Sequence, residues 1–186
     1  MKLYLIRHWE TDFNLDTRHD HEGQAMLTEK WIHRSHALAS LLSDIPFDSI
    51  FSSPLQRCID TISPLAHSHN VEIQIDTRLT EFYLGPMQWK SWNDVSSEYN
   101  YQLHNIHWQK QVDCEHMTEV MVRLKDFLRN LQEQYSDDST VVICTHSWVI
   151  LYLLSIIDNT LPKNWLNFLP SNSWLSHKDA YILRAF

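Results

Sequence analysis

Apolar residues in this chain fall into two patterns, short dense runs and helical stripes, and the two alternate. Leu3-Tyr4-Leu5-Ile6 is a dense run that stops at Arg7-His8. It reads as a strand over about residues 2–7, buried on both faces, whose carboxyl end delivers an arginine and a histidine to the edge of a sheet. In open α/β sheets ligands bind at that edge, although a strand can equally end in a solvated Arg-His pair. A polar loop through Asn14, Asp16, Asp20 and Gly23 follows. Thr28-Glu29 then opens a helix whose apolar positions Ile32, Ala37, Leu38, Leu41 and Leu42 share one stripe up to Asp44.

After the turn Ile45-Pro46-Phe47-Asp48, residues 49–52 read as a second strand. Ser53-Pro54 reads as a helix start, with proline in the tolerated first turn. This helix carries Arg57 and Thr61 on successive turns and is expected to kink at Pro64. Residues 71–75 alternate like a strand with one wet face. Val120, Leu124, Phe127, Leu128 and Leu131 predict a long helix over 115–134. Residues 140–144 form another dense run, ending in Thr145-His146-Ser147 ahead of a helix over about 149–157. The tail offers two short edge strands, 173–176 and 181–184. Strand and helix alternate without a repeat or linker, so the expected fold is one α/β domain over 1–186. Its architecture is three-layer α/β/α with a mostly parallel central sheet.

Composition narrows the function classes. At 186 residues and 44% apolar, the chain has material for a sizeable core, and a net charge of -8 argues against a broad nucleic-acid or membrane surface. An anion site must therefore be a local basic pocket. No run approaches a membrane span and no signal pattern opens the chain. Cys58, Cys114 and Cys144 have no metal-like spacing, which makes a reducing cytoplasm the default. No nucleotide or other cofactor motif is present, and no metal cluster is suggested. Oligomeric state is not legible. Glycine is the anomaly: 2 residues, against 8 tryptophans.

Two strands end in histidine, His8 and His146, and Arg7 and Arg57 sit at neighbouring strand or helix starts. If both strands are central, the four residues converge on a crevice suited to a dianion, because guanidinium forks and helix amino termini both donate to phosphate oxygens.

These segments resemble the signature of the histidine phosphatase superfamily, the phosphoglycerate mutase-like fold. Arg7-His8 in Leu5-Ile6-Arg7-His8-Trp9-Glu10-Thr11-Asp12-Phe13-Asn14 resembles its first motif. Ser52-Ser53-Pro54-Leu55-Gln56-Arg57 with Thr61 resembles its second arginine segment, and Leu79-Thr80-Glu81 ahead of Gly85 its acidic segment. Residues 141–146 resemble the strand before its second histidine, and 27–30 and 114–116 match weaker landmarks. The resemblance implies His8 as a nucleophile that forms a phosphohistidine, with Arg7, Arg57 and His146 holding the phosphoryl oxygens and Asn14 adding a neutral donor. It implies Glu81 as the acid that protonates the leaving oxygen and then activates water. The competing readings are an exposed helix arginine at 57, a capping histidine at 146, a solvated carboxylate at 81 and a turn asparagine at 14.

The implied function is a phosphomonoester phosphatase acting on a small phosphorylated substrate. Mutases of this family are longer, and this chain has only about residues 86–112 for a cap, so the resemblance is to the compact alpha-ribazole phosphatase-like branch. Tyr99, Tyr101, His104, His107 and Trp108 would line the substrate side of that cap or simply pack it. Mutase-type phosphotransfer, and an impaired pseudophosphatase serving as a binding module, are the alternatives.

Trp9, Trp31, Trp89 and Trp148 stand where the family usually has glycine. Indoles there are expected to strain the backbone and crowd the crevice. One reading makes these positions UGA codons that the natural host decodes as glycine, which accounts for the glycine deficit and the tryptophan excess together. The others are a crevice filled by indoles, and real tryptophans that face away from the phosphate.

Overall fold

The computed structural model of the chain describes residues 1–16, 18, 20, 23–91, 93–94 and 113–158, and the backbone of 180–184. Five strands form one sheet in the order β3-β2-β4-β1-β5: β1 is Lys2–Arg7, β2 Ser49–Ser52, β3 Ile73–Ile75, β4 Thr140–Thr145 and β5 Ala180–Arg184. The first four run parallel and β5 pairs antiparallel with β1 at the edge. The helices are the single turn α1 (Asp12–Leu15), α2 (Glu29–Leu41), α3 (Gln56–His69), α4 (Met117–Gln134) and α5 (Ser147–Ile157).

Alternation along the strands divides the core in two. Leu3 and Leu5 of β1, with Val141 and Ile143 of β4, face Val120, Leu124, Phe127 and Leu131 of α4 and Val149 and Leu153 of α5. Tyr4, Ile6, Val142 and Cys144 face the other way, onto Leu38 of α2 and Cys58, Ile62 and Leu65 of α3. Helices therefore cover both faces, and the near-continuous apolar runs of β1 and β4 follow from burial on both sides. Each large side chain enclosed here contributes about 1.5–3 kcal/mol.

The expected three-layer, mostly parallel architecture is what the chain adopts. α3 begins at Gln56, not at Ser53. Pro54 and Leu55 form a bend in which Leu55 N donates to Ser53 Oγ at 3.3 Å, and Leu55, extended at φ -72° and ψ 130°, is the N-cap of the helix. Pro64 lies inside α3, which continues to His69 and ends where Asn70 turns left-handed at φ 51°. α4 starts two residues later than expected, because His116 and Glu119 form a reciprocal capping box with His116 N donating to Glu119 at 2.7 Å. The anticipated strand at 173–176 and most of the 86–112 cap lie outside the described residues.

Register positions the site. Arg7 pairs with Thr145 and Ser52 with Cys144, so β1, β2 and β4 end level with one another. The chain stays tied beyond the strands: His8 N donates to Thr145 O at 2.9 Å and Ser53 N to Cys144 O at 3.0 Å. His8, Ser53 and His146 thus emerge side by side at one sheet edge.

Candidate active site

Arg7 closes β1 and His8 is the next residue out of the sheet. The His8 ring is buried, with Nδ1 2.7 Å from the Trp9 carbonyl oxygen. A carbonyl only accepts, so Nδ1 carries the proton and donates, and Nε2 presents the lone pair. Burial first, then the charges of Arg57 and Arg7, hold this imidazole well below the ordinary histidine range; the bond to Trp9 pulls weakly the other way. The ring is accordingly neutral at neutral pH.

His146 follows β4 and precedes α5. Its ring is fully buried, and its centroid lies 5.1 Å from that of His8. Arg57, in the first turn of α3, is buried rather than an exposed helix residue and places Nη2 3.4 Å from His146 Nδ1. Guanidinium nitrogens cannot accept, so Nδ1 is the acceptor and Nε2–H donates to Ser53 Oγ at 2.8 Å. Cys58, one residue past Arg57, rests its sulfur 3.5 Å from the same ring. His8, Arg57 and His146 are therefore brought together, and Arg7 lies near enough for its charge to act on the His8 ring. The first turns of α3 and α5 open at the same sheet edge.

Glu81 sits beyond the 3-10 turn Thr77–Leu79, which is fixed to the sheet because Thr145 Oγ1 donates to Leu79 O at 2.6 Å. Its carboxyl is enclosed although the residue keeps some exposure, and loss of water pushes the pKa above the ordinary carboxylate range. That effect outweighs the bond from Phe82 N at 3.0 Å and the charges of Arg57, Arg7 and Arg123. The segment is braced by Glu115, whose N–H donates to Tyr83 O at 2.9 Å while its carboxylate takes Arg123 at 2.7 and 3.1 Å. Asn14 has a local duty. Its Oδ1 accepts from Thr11 N at 3.1 Å in the capping box of α1, so only its amide N–H end can serve an anion.

Sequence reasoning named three further contributors without giving them a role in the site. Ser53 was expected to start a helix and instead orients His146. Thr61 takes Trp9 N at 3.1 Å and donates to Arg57 O at 2.7 Å, tying the loop after His8 to the helix that carries Arg57. Asp20, in a polar loop with no periodicity to mark it, makes a buried ion pair with Arg57. Among the described residues, no group of three or more His, Cys, Asp or Glu is arranged to hold a metal ion.

The expected crowding by tryptophan is corrected. Trp9 and Trp31 stack at 5.1 Å and 26° inside the core beneath α2 and α3, and Trp31 Nε1 donates to Glu10 at 2.8 Å. Trp148 packs against the opposite core. Backbone strain appears at one of the four positions, Trp89, where φ is +68°.

The chain belongs to the histidine phosphatase superfamily (branch 1), whose family model matches residues 3–179. It is 28% identical over 159 residues to the adenosylcobalamin/alpha-ribazole phosphatase of Salmonella typhimurium, covering 83% of this chain and 78% of that protein. It is 34% identical over 94 residues to a 2,3-bisphosphoglycerate-dependent phosphoglycerate mutase of Thermoplasma acidophilum, covering 50% and 47% of the two chains. In fold it is similar to Bacillus stearothermophilus YhfR, with a TM-score of 0.77 at 24% identity over 86% of this chain and 81% of the other. No helix among the described residues is long and apolar enough to cross a membrane.

Proposed function

We propose that this chain hydrolyses small phosphomonoesters through a phosphohistidine on His8. The observation that carries this reading is the His8 hydrogen bond to the Trp9 carbonyl, which leaves Nε2 unprotonated beside two arginines. In the first step Nε2 attacks phosphorus in line while the P–O ester bond breaks and protonated Glu81 gives its proton to the leaving oxygen. In the second, Glu81 takes a proton from water, the water oxygen attacks phosphorus, and the P–N bond breaks to release phosphate and neutral His8. Nδ1 keeps its proton throughout and donates it to the Trp9 carbonyl oxygen.

Arg7 and Arg57 face the equatorial oxygens, where charge gathers in the transition state. His146 stands beside them, its ring centroid 5.1 Å from that of His8. The amide end of Asn14 supplies a neutral donor. Water as acceptor is favoured over a second substrate, since the similarity to the alpha-ribazole phosphatase spans 83% of this chain and that to the mutase half of it. A ribazole-type phosphate is accordingly the first substrate to try, with a single domain and a small cap over 86–112 reading the leaving group.

A panel of phosphomonoesters, with acid-labile and base-stable label trapped on His8, tests this. Turnover lost in His8→Ala, and reduced by about 10² to 10³ in Arg57→Ala, is the expected result. A His8→Ala variant with undiminished turnover refutes it.

A further inference from the structure

Asp20 is the one acidic side chain paired with Arg57 among the described residues. Arg57 Nη1 donates to Asp20 Oδ2 at 2.9 Å and Nη2 donates to the Asp20 backbone oxygen at 2.7 Å, with the two side chains 4% and 3% exposed. The carboxylate is itself held by its own loop. Oδ1 accepts from Gly23 N at 2.8 Å and Gln24 N at 3.3 Å, and Oδ2 accepts from Ala25 N at 2.8 Å. The loop closes tightly on α3: Gly23 has φ +85°, and a Cβ placed there would meet Leu55 at 3.2 Å.

We propose that Asp20 is a positioning residue that acts through Arg57. Its carboxylate takes Nη1 and its backbone oxygen takes Nη2, the nitrogen that also faces His146, so the guanidinium is held beside that ring, and the carboxylate sets a fixed negative charge against a site meant for a dianion. The pairing is a built feature, because three backbone N–H groups fix the carboxylate. A carboxylate sharing a guanidinium with phosphate repels it and lowers its affinity, product included. Asp20 therefore orients the arginine and prevents the crevice from holding released phosphate too tightly.

This inference rests on the phosphatase reading, and the test separates the two. Inorganic phosphate is titrated calorimetrically into wild type, Asp20→Asn and Asp20→Glu, with parallel kinetics on p-nitrophenyl phosphate. Asp20→Asn is expected to bind phosphate about tenfold tighter, with KM and kcat both lowered as product release slows, and Asp20→Glu to stay within about threefold of wild type. A merely structural role moves affinity the opposite way, since a loosened Arg57 binds phosphate more weakly. Unchanged or weaker phosphate binding by folded Asp20→Asn, in an enzyme whose wild type turns over and needs Arg57, overturns this proposal alone. Wild type that neither binds phosphate nor turns over overturns both. Crystals of wild type with vanadate give an answer independent of any variant: the Asp20–Arg57 pair intact, with the oxyanion bound beside His8, supports the assignment, and vanadate in place of the carboxylate overturns it.

Discussion

His8 donates its Nδ1 proton to the Trp9 carbonyl oxygen at 2.7 Å, a contact between adjacent residues that decides which nitrogen can attack. Burial and two arginines depress the pKa of this ring, while burial raises that of Glu81. Attack needs neutral His8 and leaving-group protonation needs protonated Glu81. The rate is therefore expected to fall as pH drops through the lowered His8 value and again as pH rises through the raised Glu81 value. A pH profile of kcat/KM on a substrate with a poor leaving group checks this. In Glu81→Gln the alkaline limb should vanish along with most of the rate.

Stability should move the other way at Glu81. Its folded pKa lies above the unfolded one, so the group contributes stability below the unfolded pKa and loses it as pH rises through the folded value. At neutral pH the enclosed carboxylate is a net cost. Glu81→Gln is thus expected to raise Tm at pH 7 while lowering turnover, and to lose that advantage near pH 4. Thermal melts of both proteins across that range decide it.

His8 has the opposite linkage. A folded pKa below the unfolded value of about 6.5 means that the unfolded chain binds the extra proton first, so stability present above that pH is lost as pH falls toward the depressed value. His8→Asn should flatten this acid slope in denaturant melts between pH 7 and 5. A slope unchanged by the substitution contradicts the assignment.

The fold was legible wherever a pattern is local. The runs at 3–6 and 141–144 are buried on both faces, and the histidines that end them do meet. What could not be read was set by partners far away in sequence. Ser53 next to proline has the local look of a helix start, yet its hydroxyl belongs to His146, 93 residues on. Arg57 has the local look of a surface residue, and it is buried because Asp20, 37 residues earlier, closes over it. The tryptophans misled for another reason: the cost of an indole depends on the space beside it, and Trp9 and Trp31 supply each other's.

Ser53→Ala removes the acceptor for a ring nitrogen with no access to water. His146 Nε2–H would lose its oxygen acceptor and keep the weaker Cys58 sulfur at 3.5 Å, at about 1–3 kcal/mol of stability, and the ring would be freer to present the wrong nitrogen to Arg57. We expect a Tm loss together with a drop in kcat, with Ser53→Thr, which keeps the hydroxyl, recovering much of both. Full activity in Ser53→Ala would show that His146 is held by other contacts.

Trp89 is where the tryptophan excess meets backbone physics. At φ +68° a bulky side chain is opposed by its own Cβ, a cost of about 1–2 kcal/mol that glycine avoids, and among the described residues the ring meets Phe13 edge-on at 5.7 Å. Trp89→Gly is expected to stabilise the chain slightly, by about 1 kcal/mol or less once the greater freedom of unfolded glycine is counted. Trp31→Gly alone should instead cost about 3–5 kcal/mol by leaving a cavity against Trp9, and the pair changed together should cost less than the sum of the two. That coupling is what a chain with glycine at both positions requires, since α2 could then close on the loop after His8. The buried indole N–H of Trp9, which finds no partner among the described residues, points the same way. We therefore expect UGA codons at 9, 31, 89 and 148, and glycine at these positions in peptides of the protein isolated from its natural host. UGG codons there, or tryptophan in those peptides, would make the stacked pair a genuine part of the core.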